Sequence, residues 1–215
     1  MAKGEQTRRR IVERAAPVFN TLGYSGTSMS ELTRATGLEK GGIYNHFPSK
    51  EALALAAFDY AVEVVAARFA AALAGVEGAP ARLAAIVQVF AAYLEAPPIA
   101  GGCPILNTAV EADDTDQALR ARAQEGMTRL QKLIGATVKA GVARGELRPE
   151  ADPRAVATVI TATMEGAIML GRLYADPAPL RHAVEHLRWY LAQLAVAPLS
   201  EAAHDTESRS YDEQR

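Results

Sequence analysis

The chain has 215 residues, 49% of them hydrophobic and 22% charged, with a formal net charge of -2. This is ordinary for a soluble globular protein and enough for one sizeable core or two small ones. No run approaches the roughly 18 uninterrupted apolar residues of a membrane span. The single cysteine, Cys103, excludes an intrachain disulfide framework, and the basic start MAKGEQTRRR lacks the hydrophobic stretch of a signal peptide. These features point to the cytoplasm and to no membrane. The small net charge hides an asymmetry. Residues 1–50 carry eight Lys/Arg against four Glu, net +4, which leaves -6 for the rest. Alanine dominates the middle and C-terminal parts and strand-type runs are scarce, so the expected fold class is all-α.

In chain order, Glu5 to Leu22 reads as a first helix, with Ile11, Ala15, Val18, Phe19 and Leu22 on one face of a 3.6-residue period. Pro17 inside it is expected to cost stability or kink it. Arg8–Arg10 suit either an arm on a DNA backbone or a solvated basic end. Residues 27–50 read as two short helices around Gly37. Ser28 with Glu31 spells a capping box, Leu38, Ile43, Tyr44 and Phe47 form a second apolar set, and Pro48 stops the second helix. Two short helices across a glycine turn form a helix-turn-helix, whose second helix enters a DNA major groove. Ser49 then caps a long helix, Lys50 to about Leu73, and the domain boundary falls within it.

Further on, Pro80 opens a helix expected to reach Ala96, stopped by Pro97-Pro98. A short helix follows over Ile105–Ala112. Glu111, Asp113, Asp114 and Asp116 lack calcium-loop spacing and read as a solvated acidic turn and cap. A long helix runs from Asp116 to about Val142. Asp152 with Pro153 opens another, to about Tyr174, and the last spans about Leu180 to Val196. Residues 199–215 are polar, without a core pattern, and read as a disordered tail.

The motif is specific enough to name a family. Leu32-Thr33-x-x-Thr36-Gly37-Leu38-x-Lys40-Gly41-x-Ile43-Tyr44-x-His46-Phe47-x-Ser49-Lys50-Glu51-x-Leu53 resembles the signature of TetR-family transcriptional regulators. The resemblance implies a three-helix DNA-binding head (1–50, recognition motif 28–47) joined to a ligand-binding and dimerisation body (51–198). It implies a repressor released by a small-molecule effector, acting as a homodimer on a double-stranded, palindromic operator, with no enzymatic role and no cofactor. Two heads about 34–36 Å apart would match half-sites one helical turn apart. By position, Thr27, Tyr44 and Lys50 would meet phosphates, and Ser28 belongs to the same DNA-binding set. Lys40, Gly41, Gly42 and Asn45 would lie near base edges. His46 belongs to the same surface, although with Phe47 it suits holding the helix to the head. The family often has Ser where Glu39 stands and Thr where Gly42 stands, so operator preference does not carry over.

In the body, the effector candidates are Phe90, Tyr93, Cys103, Asn107, Met127, Met164, Glu165 and Ile168, with Tyr93, Asn107 and Glu165 as polar groups in a mainly apolar pocket. The dimerisation candidates are Ala162, Gly166, Leu187, Trp189 and Tyr190, small residues for close helix approach and large ones for contact. Two alternatives use other chemistry. Gly102-Cys103-Pro104-x-x-Asn107 resembles a Gly-Cys-x-x-x-Asn segment of some TetR-like repressors, so Cys103 could sense electrophiles or oxidants if a helix N-terminus favours its thiolate. His182-x-x-Glu185-His186 spells an inverted zinc-hydrolase motif.

Overall fold

A computed structural model describes residues 3–196. The polar tail expected at 199–215 lies outside the described residues. Among those described, nine α-helices follow in order: α1 (Lys3–Leu22), α2 (Met29–Thr36), α3 (Lys40–Tyr44), α4 (Lys50–Leu73), α5 (Ala79–Ala91), α6 (Pro104–Ala112), α7 (Gln117–Ala143), α8 (Pro153–Tyr174) and α9 (Ala178–Leu194).

Local chemistry sets most boundaries. The Ser49 side chain caps α4 by accepting from the Ala52 amide at 3.1 Å, and Asp116 caps α7 by accepting from Ala118 and Leu119. Asp152 accepts from the Arg154 amide, with Pro153 in the first turn, where its missing N–H costs nothing. Gly78 has no side chain to cap α5. Glu146, from the α7–α8 turn, does so instead, accepting from the Ala79 amide. Pro17 is accommodated inside a continuous α1. α5 ends at Ala91, earlier than the Ala96 expected from sequence. There the Tyr93 amide bonds to the Phe90 carbonyl, tightening the chain into a turn, and the residue before Pro97 is disfavoured in helical geometry.

Two cores result, and α4 belongs to both. Leu53, Ala57 and Ala61 pack into the head with Ile11, Val12, Ala15, Leu32, Ile43 and Phe47. Phe58, Val62, Val65, Phe69 and Leu73 pack into the body with α5, α7, α8 and α9. The division expected within α4 is therefore a change of helix face, with no linker, so a displacement of α4 is felt on both sides. Ile99, from the α5–α6 connection, also enters the head core. Length and composition alone would let α8 cross a membrane, which unbroken apolar runs did not reveal. Half of its apolar window is buried inside the body.

Candidate nucleic-acid interface and the body behind it

The reading head is built by capping and burial. Ser28 Oγ accepts from the Glu31 amide at 3.2 Å, while Glu31 Oε2 accepts from the Ser28 amide at 2.7 Å. That reciprocal pair fixes the start of α2 and holds the Glu31 carboxyl below its usual pKa. Gly37 ends α2 at φ 70°, a left-handed conformation that favours glycine. The turn then presents α3. Ile43 and Phe47 are buried and anchor it, leaving Lys40, Gly41, Tyr44 and Asn45 exposed. Gly42 is half-buried above Leu38. His46 is half-buried, consistent with a holding role beside Phe47.

Cations ring this face. Lys40 Nζ stands 5.8 Å from the Tyr44 ring centroid, Lys50 Nζ 4.4 Å from that of Tyr24, and the Arg8 guanidinium 4.5 Å from that of Phe47. Among the described residues none of the three forms a salt bridge, so the head keeps their charge while aromatic rings hold them in place. The Tyr24 hydroxyl donates to Glu51 Oε1 at 2.6 Å; burial raises the Tyr24 pKa to about 12, and this bond lowers that of Glu51 to about 2. Thr27 departs from expectation. It is buried, and its hydroxyl donates to the Gly23 carbonyl at 2.6 Å, so it holds the turn and its side chain is not free for a phosphate. Ser28 is exposed but spends its hydroxyl on the cap.

Behind the head, α6 grips it. Glu111 accepts from the Tyr24 amide at 2.9 Å and the Ser25 amide at 2.8 Å. Asn107 Nδ2 lies 3.1 Å from the Asn20 carbonyl, 3.0 Å from Asn20 Oδ1 and 2.9 Å from the Gly101 carbonyl. Asn20 in turn donates to the Ala100 and Gly102 carbonyls. Asn107, expected to face an effector, is therefore committed to the head–body joint. Glu111, expected to be solvated, is a clamp. Both line a small cavity of about 40 Å³ together with Phe19, Tyr24, Phe58 and Leu119.

The other effector candidates converge on the body core. Phe90, Tyr93, Cys103, Met164, Glu165 and Ile168 are buried, and Met127 packs half-buried against the same core. The dimerisation candidates divide. Ala162 and Trp189 are exposed, and a Cβ on the half-buried Gly166 would meet nothing within 4 Å. Tyr190 is half-buried against the body core. Leu187 is fully buried within its own protomer, because it shares the α9 stripe of Leu180, Val184 and Leu191 that packs inward.

Comparison with known proteins agrees with this geometry. Residues 11–57 match the family model described as bacterial regulatory proteins, tetR family, and residues 79–187 match that of the tetracyclin repressor-like C-terminal domain. The chain belongs to the TetR family. It is a TetR-family transcriptional regulator, and members of this family bind DNA operators, form homodimers and bind small-molecule effectors. A TetR transcriptional regulator from Chloroflexus aurantiacus J-10-FL is 52% identical, with a TM-score of 0.87, covering 91% of this chain and 98% of that one. An uncharacterized HTH-type transcriptional regulator of Mycobacterium tuberculosis is 32% identical over 80% of this chain and 88% of its own length. The HTH-type transcriptional repressor DhaR of Mycobacterium sp. strain GP1 is 28% identical over 80% of this chain and 86% of its own.

Neither alternative chemistry finds support in this TetR-family body. His182, Glu185 and His186 are exposed on α9, with the His186 ring 5.7 Å from that of Trp189, and no metal-holding group of three or more His, Cys, Asp or Glu occurs among the described residues. Cys103 does precede a helix N-terminus, as the N-cap of α6. Burial and the neighbouring Glu165 carboxyl nevertheless push its thiol well above the usual range, outweighing the backbone amides of Ile105 and Leu106. A reactive thiolate needs the opposite shift. What sequence reasoning missed at the joint, Asn20 and Glu111, carried no local signal, since their partners lie 80 to 87 residues away.

Proposed function

We propose that this regulator is a homodimeric repressor that holds a palindromic operator through two α3 helices and leaves it when a small molecule occupies the body. The observation that carries this reading is the outward face of Lys40, Gly41, Tyr44 and Asn45, on a helix anchored from behind by Ile43 and Phe47. In this reading Tyr44 and Lys50 meet phosphates, whereas Lys40 and Asn45 reach base edges and Gly41 lets the backbone come close. The similar protein from Mycobacterium sp. strain GP1 is named a repressor, which supports the same direction of control here.

Dimerisation is supported by an apolar surface on α8 and α9. Met169, Leu170, Leu173, Tyr174 and Trp189 are exposed, Leu173 by 69% and Trp189 by 60%. Large apolar side chains exposed on two packed helices are costly to leave in water. Release follows by linkage: an effector that binds better to a conformation with another head spacing lowers operator affinity by the ratio of its two affinities, typically about 1–3 kcal/mol. The clamp by Asn107 and Glu111 makes α6, beside the shared helix α4, an element through which a body displacement reaches the head. Selection of bound sequences from random DNA, followed by electrophoretic shifts of the enriched site, tests this. Two protomers on an inverted repeat are expected. A monomer on a single site, or no enriched sequence, would reject the reading.

A further inference from the structure

Two buried side chains inside the body, Glu165 and Tyr93, lack well-formed hydrogen bonds among the described residues. Glu165, in the middle of α8, is 5% exposed, and neither carboxyl oxygen makes a well-formed hydrogen bond within the described structure, the weak thiol donor of Cys103 being its polar neighbour. The Tyr93 hydroxyl, just past the end of α5, is equally unpartnered at 2% exposure. Cys103, at the start of α6, brings its thiol against the Glu165 carboxyl. Three separate segments thus bring polar groups into one region of an otherwise hydrocarbon core, with Cys103 and Glu165 near enough to act on the Tyr93 hydroxyl; Phe90 stacks on Tyr93 at 5.9 Å, and Met164 and Ile168 share the buried face of α8. Buried polar side chains are normally hydrogen-bonded, and each one left unmet destabilises the fold. Burial raises the Glu165 pKa to about 7, and among the described residues no basic side chain acts on it. What this point lacks is a positive charge carrying N–H donors.

We propose that Glu165, with Tyr93 beside it, is the anchor of an effector site for a small organic ammonium. The protonated amine donates to the Glu165 carboxylate, the Tyr93 hydroxyl takes up a further polar contact, and the apolar part of the ligand lies among Phe90, Met164 and Ile168. This rests on the reading of the body as effector-binding. Because Cys103 is the N-cap of α6, whose Asn107 and Glu111 hold the head, a ligand that displaces Cys103 acts on the joint.

The test uses the full chain and its selected operator, with hexylammonium, benzylammonium and tetraethylammonium as probes against hexanol, benzyl alcohol and hexanoate. Calorimetric binding of at least one ammonium, at least tenfold tighter than its matched alcohol, is expected, together with at least tenfold weaker binding by Glu165→Gln. Tyr93→Phe is expected to weaken binding by a smaller factor. Glu165→Met, which removes the unpartnered carboxyl, is expected to raise the melting temperature of the free protein by about 2–4 °C while abolishing ammonium binding. A lower melting temperature would mark Glu165 as purely structural and overturn the proposal. So would an unchanged affinity in Glu165→Gln, equal binding of the alcohols, or no ammonium binding at all. If neutral or acidic compounds release the operator while ammonium ions do not, only the ligand class fails. If no compound of any class alters operator binding, the effector reading itself fails.

Discussion

Gly41 stands in the recognition helix with nothing within 4 Å of where a Cβ would be placed, so folding makes no demand for glycine there. Gly41→Ala is therefore expected to stabilise the free protein by about 0.5–1 kcal/mol, through lower backbone entropy in the unfolded chain. The same change puts a methyl group where a base edge or sugar would approach, so operator affinity should drop. Chemical unfolding and electrophoretic shifts on one preparation check both, and unchanged affinity would remove Gly41 from the interface. Glu165 behaves unlike most carboxylates. Its pKa in the folded chain is raised to about 7 from the usual 4.5. Between those values the folded state keeps a proton that the unfolded state has released, so stability falls as pH rises through the window and is flat above it. The loss amounts to roughly 3 kcal/mol. Thermal melts of wild type and Glu165→Gln across about pH 4 to 8 should show this decline in wild type alone; parallel curves would contradict the assignment.

At the scale of elements, α6 is a strut between two cores. Glu111 ties the α1–α2 turn to the body through two backbone amides. Glu111→Ala leaves both amides without that acceptor and is expected to destabilise the head by about 1–3 kcal/mol. Hydrogen exchange at Tyr24 and Ser25 should quicken while the α7 and α8 amides keep their protection; uniform acceleration would mean that the clamp is not local. This strut was illegible in the sequence, whereas the helices were not. Ser28, Ser49, Asp116 and Asp152 act within three residues of themselves, so a one-dimensional pattern reveals them. Asn107 and Glu111 act across 86 or 87 residues, and a residue pattern carries no record of such partners. Leu187 shows a second limit. Periodicity told which α9 residues share a face, but the covering surface is the same protomer's body. Thr27 shows a third: a hydroxyl in a DNA-binding motif was already engaged by the Gly23 carbonyl.

The whole molecule joins a basic reading head to an apolar body with no linker between them, and the proposed function needs two copies. Leu173 and Trp189 are large, apolar and exposed on adjacent helices. Their joint replacement by glutamate is expected to weaken self-association at least about 100-fold, at about 2 kcal/mol or more for each centrally placed contact. Sedimentation should then show folded monomers of unchanged helicity; persisting dimers would move the interface elsewhere. DNA reading rests on the α3 face. The most direct measurement is to select DNA from a random pool with wild type and with Asn45→Ala, and to titrate Tyr44→Ala against the wild-type site at several salt concentrations. Wild type should enrich an inverted repeat, Asn45→Ala should shift the enriched bases, and Tyr44→Ala should weaken binding to all sequences alike, with a shallower salt dependence. An identical enriched site for Asn45→Ala, or no enrichment by wild type, would contradict the claim that this face reads DNA.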